Sequence, residues 1–184
     1  MTEAKVIVFP DALAFEKWLD KNVALQAGVW LKLAKKGSGI LSLTSDEAVD
    51  IGLCYGWISG QRKPLDDTYY LQKYVPRRAR SLWSRVNVDK VSELTAAGRM
   101  RAEGIAEVDA AKADGRWAAA YASQRNAEVP RDLEEVFAEN PGARARFEGL
   151  GKAERYQVIL KLLTARTEKG RAARLRKAVD ALNG

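Results

Sequence analysis

The stretch that most limits what this chain can fold into is residues 57–76, "WISGQRKPLDDTYYLQKYVP". Two alternating runs, "WISGQRK" and "TYYLQKYV", flank "PLDD", where Pro64, Asp66 and Asp67 supply turn chemistry. That pattern predicts a β-hairpin. On its first strand Trp57, Ser59 and Gln61 would share one face, and Ile58, Gly60 and Arg62 the other. "GVWLKLAKK" sets Val29, Leu31 and Leu33 against Trp30, Lys32 and Ala34, as a half-buried strand does, and "GSG" at 37–39 breaks it. Upstream, "KVIVF" predicts a strand, followed by Pro10 and an amphipathic helix carrying Leu13 or Phe15, Trp18 and Leu19. Thr44 and Glu47 form a T-x-x-E capping box. The helix it opens runs through Ala48, Ile51 and Tyr55 and stops near Gly56.

Beyond Pro76 the period changes to that of helices. "SLWSRVNVDKVSELTAAG" carries Val88, Val91 and Leu94 and ends at Gly98; an alanine-rich stretch over 99–122 is interrupted by Gly104 and Gly115. Pro130 opens a helix with Leu133, Val136 and Phe137 on one face, and Asn140-Pro141 closes it. A short helix follows, ending at Leu150-Gly151. Tyr156, Ile159, Leu160 and Leu163 then recur at helical spacing, and a last helix buries Leu175, Val179 and Leu182 with Arg171, Arg174 and Lys177 on a flank. The fold class expected is α+β: a small antiparallel sheet with packed helices in the N-terminal part, and a helical bundle in the C-terminal part. The expected division is an α+β domain over 1–125 and a helical module with a basic tail over 126–184.

Two absences narrow the chemistry. The 184 residues include no histidine, which excludes an imidazole base or ligand, and one cysteine, which excludes an intrachain disulfide. A zinc site is not expected, no cofactor is expected, and only a carboxylate-bound Mg²⁺ stays open. Any acid–base chemistry would fall to carboxylates, lysine, tyrosine or a hydroxyl. No signal-like N-terminus and no apolar run near the ~20 residues of a membrane helix is seen, so a cytoplasmic protein without membrane insertion is expected. Residues 1–140 hold 20 basic and 20 acidic side chains, while 141–184 hold 11 and 4, so the net charge of +7 belongs to the tail. Such a tail fits an anionic partner or a solvated helix face.

Candidate binding residues fall in three places. Lys35 and Lys36 lie in "KKGSG", which has the glycines and lysines of phosphate loops without their G-x-x-x-x-G-K-[ST] spacing and reads as a strand-ending turn. Trp57, Ser59, Gln61 and Arg62 come from the first hairpin strand. Tyr74, Arg77, Arg78, Ser81, Trp83, Ser84 and Asn87 come from "KYVPRRARSLWSRVN", where planar guanidinium forks alternate with aromatic faces, as in sites for phosphates and carboxylates. Ser81 and Ser84 stand where the chain enters a helix, so they cap it or leave its N–H groups to an anion. The opposing interpretation puts the rings in the core and the arginines in water. Trp57, Ser59, Gln61, Tyr74, Arg77 and Arg78 are expected to surround one depression. Asp66 and Asp67 are expected to serve their turn's backbone, and Cys54 to be a small buried hydrophobe.

These blocks carry a resemblance. "VWLKLAKKGSG", "EAVDIGLCYGWISGQ", "YVPRRARSLWSRVN", "GRM", "AKADGRW" and "ARTEKGRAARLRKAV" occur in order over nearly the whole chain. In them the sequence resembles the YdeI/OmpD-associated proteins, also labelled bacteriocin protection, and the last sixty or so residues resemble the helical module after which that family is named. The family pattern has an aspartate in G-W-I-D-G; here Ser59 stands in its place, which keeps a hydrogen bond but takes no proton near neutral pH. The resemblance implies a part in tolerance to bacteriocins or cationic antimicrobial peptides and an association with an outer-membrane porin, and implies no reaction. A chain of +7 would not attract cationic peptides electrostatically, so an indirect, stress-linked role fits better.

The expectation is therefore a binding protein for an anionic small molecule or protein partner. An enzyme acting on a small phosphorylated or acylated substrate, with Tyr or Lys as acid–base group, is the alternative from another class. Nucleic-acid binding through the basic C-terminal helix is a third. Oligomeric state is not legible in the sequence.

Overall fold

Asp11 accepts a hydrogen bond from the Ala14 amide at 2.8 Å and so starts α1, Ala12–Asn22, which buries Phe15 and Leu19. Preceding it is β1, Val6–Ile7, and following it β2, Val29–Ala34. Thr44 and Glu47 close the expected capping box on α2, Ser45–Cys54: the Thr44 hydroxyl oxygen accepts from the Glu47 amide, and the Glu47 carboxylate accepts from the Thr44 amide. The hairpin is β3, Trp57–Pro64, and β4, Tyr69–Pro76. In its turn Asp66 accepts from the Thr68 and Tyr69 amides, serving the backbone as expected. The computed structural model describes residues 4–123 and 126–184.

The four strands form one sheet in the order β1-β2-β4-β3. β2, β4 and β3 are antiparallel neighbours, but β1 runs parallel to β2, so the sheet is mixed where an antiparallel one was expected. The cause is connectivity: α1 crosses over between β1 and β2, and a helical crossover returns the chain in the same direction. The first strand is also shorter than "KVIVF" suggests, since only Val6 and Ile7 pair. One face of the sheet carries Val29, Leu31, Leu33, Tyr70 and Tyr74, all buried, in a core with Phe15, Leu19, Ala48 and Ile51. Leu13, offered as an alternative to Phe15, is 56% exposed.

The helices after β4 are α3 (Arg85–Ala96), α4 (Ala102–Ala113), α5 (Arg131–Glu139), α6 (Pro141–Gly149), α7 (Lys152–Leu163) and α8 (Glu168–Asn183). Gly104, expected to interrupt the helical stretch, lies within α4 instead. A Cβ there would sit 2.2 Å from the Cys54 carbonyl oxygen, so glycine permits close approach to the end of α2.

The chain packs as two units, one of Met1–Ser81 and Asp89–Ala110, the other of Leu82–Val88 and Ala111–Gly184. In the second, Leu133, Phe137, Ala143, Phe147, Ile159, Leu162, Val179 and Leu182 make the core, with Leu163 and Leu175 partly buried against it. The flank of Arg171, Arg174 and Lys177 is largely solvated, with Arg174 and Lys177 exposed and Arg171 half-buried, yet its two arginines are also tied to the unit. Arg171 donates to both Asp132 oxygens at 2.7 and 2.9 Å and to the Leu162 carbonyl at 2.9 Å. Arg174 donates to the Lys161 carbonyl at 2.6 Å and to the Thr164 hydroxyl at 3.2 Å. Two arginines of α8 thus satisfy carbonyls at the end of α7 that have no partner within their own helix. Of the three flank cations expected to meet nucleic acid or water, Arg171 and Arg174 hydrogen-bond within the unit, and Lys177 is exposed.

Candidate anion site at the KKGSG loop

The end of β2 leads directly into a cavity of about 530 Å³. Lys35, Lys36, Gly37, Ser38, Gly39 and Ile40 form one wall, Ser42 to Asp46 another, and Arg62 and Tyr70 the third. Gly37 and Gly39 take φ of 86° and 74°, a left-handed backbone that glycine adopts without a Cβ clash, and this turns the loop back over the sheet end.

Arg62 reaches this cavity because β3 does not keep strict alternation. Ser59 pairs with Tyr74 and Arg62 with Gln72, so Gly60 and Gln61 together oppose Lys73 in a β-bulge. The bulge reverses the expected facing. Arg62 joins Trp57 and Ser59 on the side of Tyr70 and Tyr74, and its guanidinium carbon lies 3.7 Å from the centre of the Tyr70 ring. Gln72 holds the irregularity, its amide nitrogen donating to the Gly60 carbonyl at 2.9 Å and the Gln61 carbonyl at 3.1 Å. Sequence reasoning missed Gln72. The signal available was Gly60, a glycine inside a strand, which often marks a bulge.

The charge of the cavity is that of its side chains. Lys35, Lys36 and Arg62 face one lining carboxylate, Asp46. The adjoining end of α2 is already served by its own acid: hydrogen bonds from the Thr44 amide and hydroxyl hold the Glu47 carboxyl below its ordinary range. An anion here would therefore be held by the cations, with Ser38, Ser42 and Ser45 and the exposed apolar side chain of Ile40 also in the lining.

The remaining sequence-selected residues lie elsewhere. Trp57 and Tyr74 are each 1% exposed, and the Trp57 indole N–H donates to the Val23 carbonyl at 3.0 Å, so both rings belong to the core and neither offers a ligand a stacking face. Burial pushes the Tyr74 phenol well above its ordinary range. Ser59 and Gln61 are exposed on β3. Arg77 is buried, its amide donating to the Gly56 carbonyl, while exposed Arg78 closes a turn with Ser81, whose hydroxyl accepts from the Arg78 amide at 2.9 Å. Trp83, Ser84 and Asn87 fall in the second unit. There Trp83 is buried against Trp117, and Ser84 accepts from the Asn87 amide at 3.2 Å, which is the capping use of that serine. The cavity thus brings together Lys35, Lys36 and Arg62 and leaves the "PRR" segment out.

The Tyr55 phenol donates to Asp20 and is pushed up to about 12, first by burial and then by that carboxylate. Burial likewise pushes the Cys54 thiol up, and it is 2% exposed. Among the described residues no three of the acidic and sulfur side chains converge as a metal site, and no helix is long and apolar enough to cross a membrane.

Fold and cavity define a two-unit α+β protein with a cationic, loop-walled depression at the end of a mixed sheet. Residues 126–184 match the family described as bacteriocin-protection, YdeI or OmpD-associated, so the C-terminal segment carries that domain. The chain belongs to the family described as a domain of unknown function, DUF8412, which it matches over residues 7–107. Comparison with curated proteins and with solved structures returns no match.

Proposed function

We propose that this protein binds a small anionic molecule in the KKGSG cavity, as the ligand-sensing or ligand-sequestering part of a tolerance response of the kind named by its C-terminal domain. The observation that carries the reading is that the bulge brings Arg62 into the lining of the same cavity of about 530 Å³ as Lys35 and Lys36, with Tyr70 under the guanidinium. A guanidinium seated over a ring can present N–H groups at its edge to a phosphate or carboxylate. Exposed Ile40 suits a ligand with an apolar portion. With a net charge of +7 the chain repels cationic peptides, so tolerance would act through the bound metabolite rather than through capture of the peptide.

The test is calorimetric titration with a panel of phosphorylated, acyl-phosphate and carboxylate metabolites, on the unaltered protein and on Arg62→Ala and Lys35→Ala. Saturable 1:1 binding by one ligand class, weakened at least about tenfold by Arg62→Ala, is expected from the loss of a charge-assisted pair. Binding that Arg62→Ala leaves unchanged would remove the cavity as the site.

A further inference from the structure

The face of the sheet opposite the core carries its own pattern. Register places Trp30 opposite Lys73, Lys32 opposite Leu71, Lys63 opposite Leu71, and Ala34 opposite Tyr69. All of these point away from Val29, Leu31 and Leu33, because side chains alternate across a strand. Trp30, Lys32, Tyr69 and Lys73 are half-buried and Lys63 is exposed. The ammonium groups lie over the rings: Lys32 is 4.1 Å from the Tyr69 centroid, and Lys63 and Lys73 are 4.7 and 5.6 Å from that of Trp30. These paired positions include no carboxylate. Asp66, in the turn near Lys32, is directed to the backbone amides of Thr68 and Tyr69.

We infer that this face is a platform for single-stranded nucleic acid, with bases stacked on Trp30 and Tyr69 and phosphates held by Lys32, Lys63 and Lys73. The argument is complementarity of charge and shape. Aromatic rings among cations on a sheet suit a strand whose bases are unpaired, because every base has a π-face and every linkage a charge. Trp30 and Tyr69 are separated by four residues along the strand direction, roughly 13 Å at ~3.3 Å per residue. Four-stranded sheets that read single-stranded RNA seat two or three bases on aromatic residues in this manner. Lysine, on a flexible stem, can leave a ring for a phosphate when a base takes its place. The surface is distinct from the KKGSG cavity, which lies on the other side of the sheet with Tyr70 and Arg62, so the two proposals stand or fall separately.

Fluorescence anisotropy with labelled single-stranded DNA and RNA oligonucleotides tests it on the full chain across a salt series. Saturable binding is expected, with log K falling by about 2 per decade of salt if all three lysines meet phosphates at ~0.7 each. The pair Lys63→Gln and Lys73→Gln should lower that slope by about 1.4. Trp30→Ala and Tyr69→Ala should each weaken binding at fixed salt by about fivefold or more and leave the slope intact. Trp30→Phe and Tyr69→Phe retain a ring, so they should bind nearly as the parent does, and they report on stacking if an alanine variant does not fold. Absence of binding at low salt would overturn the inference. So would binding that the lysine pair leaves unaltered, or binding of anionic lipid vesicles in preference to either oligonucleotide.

Discussion

Gln72 is the residue on which the position of Arg62 is expected to turn. Its two N–H groups satisfy the Gly60 and Gln61 carbonyls at 2.9 and 3.1 Å, and both bonds are open to solvent. A neutral hydrogen bond contributes about 0.5–1.5 kcal/mol net, so exposure places the pair at roughly 1–2 kcal/mol in total. Gln72→Leu removes the donors and keeps the bulk. Gln72→Glu keeps the shape but turns a carboxylate towards two carbonyls, so it should cost more. With an m-value of about 2 kcal/mol/M in urea, the unfolding midpoint of the leucine variant should fall by roughly 0.5–1 M. Gln72 does not itself line the cavity. Even so, both variants should weaken binding of the cavity ligand, because strict alternation on β3 would carry Arg62 to the opposite face. A Gln72→Glu variant as stable as the parent, binding ligand equally well, would refute the view that this side chain maintains the bulge.

Other outcomes follow from the same contacts. Gly104→Ala should destabilise the protein by about 3 kcal/mol or more, or prevent folding, since the added Cβ meets backbone 2.2 Å away; chemical denaturation checks it. Arg171→Ala should cost about 1–2 kcal/mol at neutral pH. Hydrogen bonds from Arg171 hold the Asp132 carboxyl below its ordinary 3.8, so its contribution is present above about pH 4 and lost as pH falls through the lower folded value; the variant should show a shallower loss of stability in acid. Tyr55 is raised in the folded state from 10.0 to about 12, so its contribution is full below pH 10 and disappears as pH rises towards 12. Ultraviolet titration should find one phenol ionising near 12, and Tyr55→Phe should remove it. Cys54 should react with a thiol reagent only after denaturant is added, because it is enclosed and its thiolate is disfavoured.

What the sequence disclosed and what it hid divide by range. The Thr44/Glu47 box, the Asp66 turn and the alternation of β2 each depend on residues within a few positions of one another, and each was legible. Arg62 was assigned to the wrong face because period-2 reasoning has no term for an extra residue, although Gly60 was a local hint. The arginines of α8 appeared as a free basic flank because their partners, Asp132 and the Leu162 and Lys161 carbonyls, are fixed by tertiary packing up to 39 residues away. Gly104 looked like a helix interruption for the same reason: the backbone it accommodates belongs to Cys54. Trp57 and Tyr74 alternate with cations in the sequence, yet burial separates them from those cations. That residues 82–88 pack with a unit resuming at 111 leaves no linear signature.

The central claim is that an anion sits between the KKGSG loop and Arg62, and amide chemical-shift mapping tests it most directly. Inorganic pyrophosphate titrated into ¹⁵N-labelled protein is the probe. The account predicts saturable shifts at the Lys36, Gly37, Ser38 and Gly39 amides and at the Arg62 side-chain N–H, lost in Arg62→Ala. Shifts confined to residues outside the cavity, or loop shifts that persist without Arg62, would contradict it.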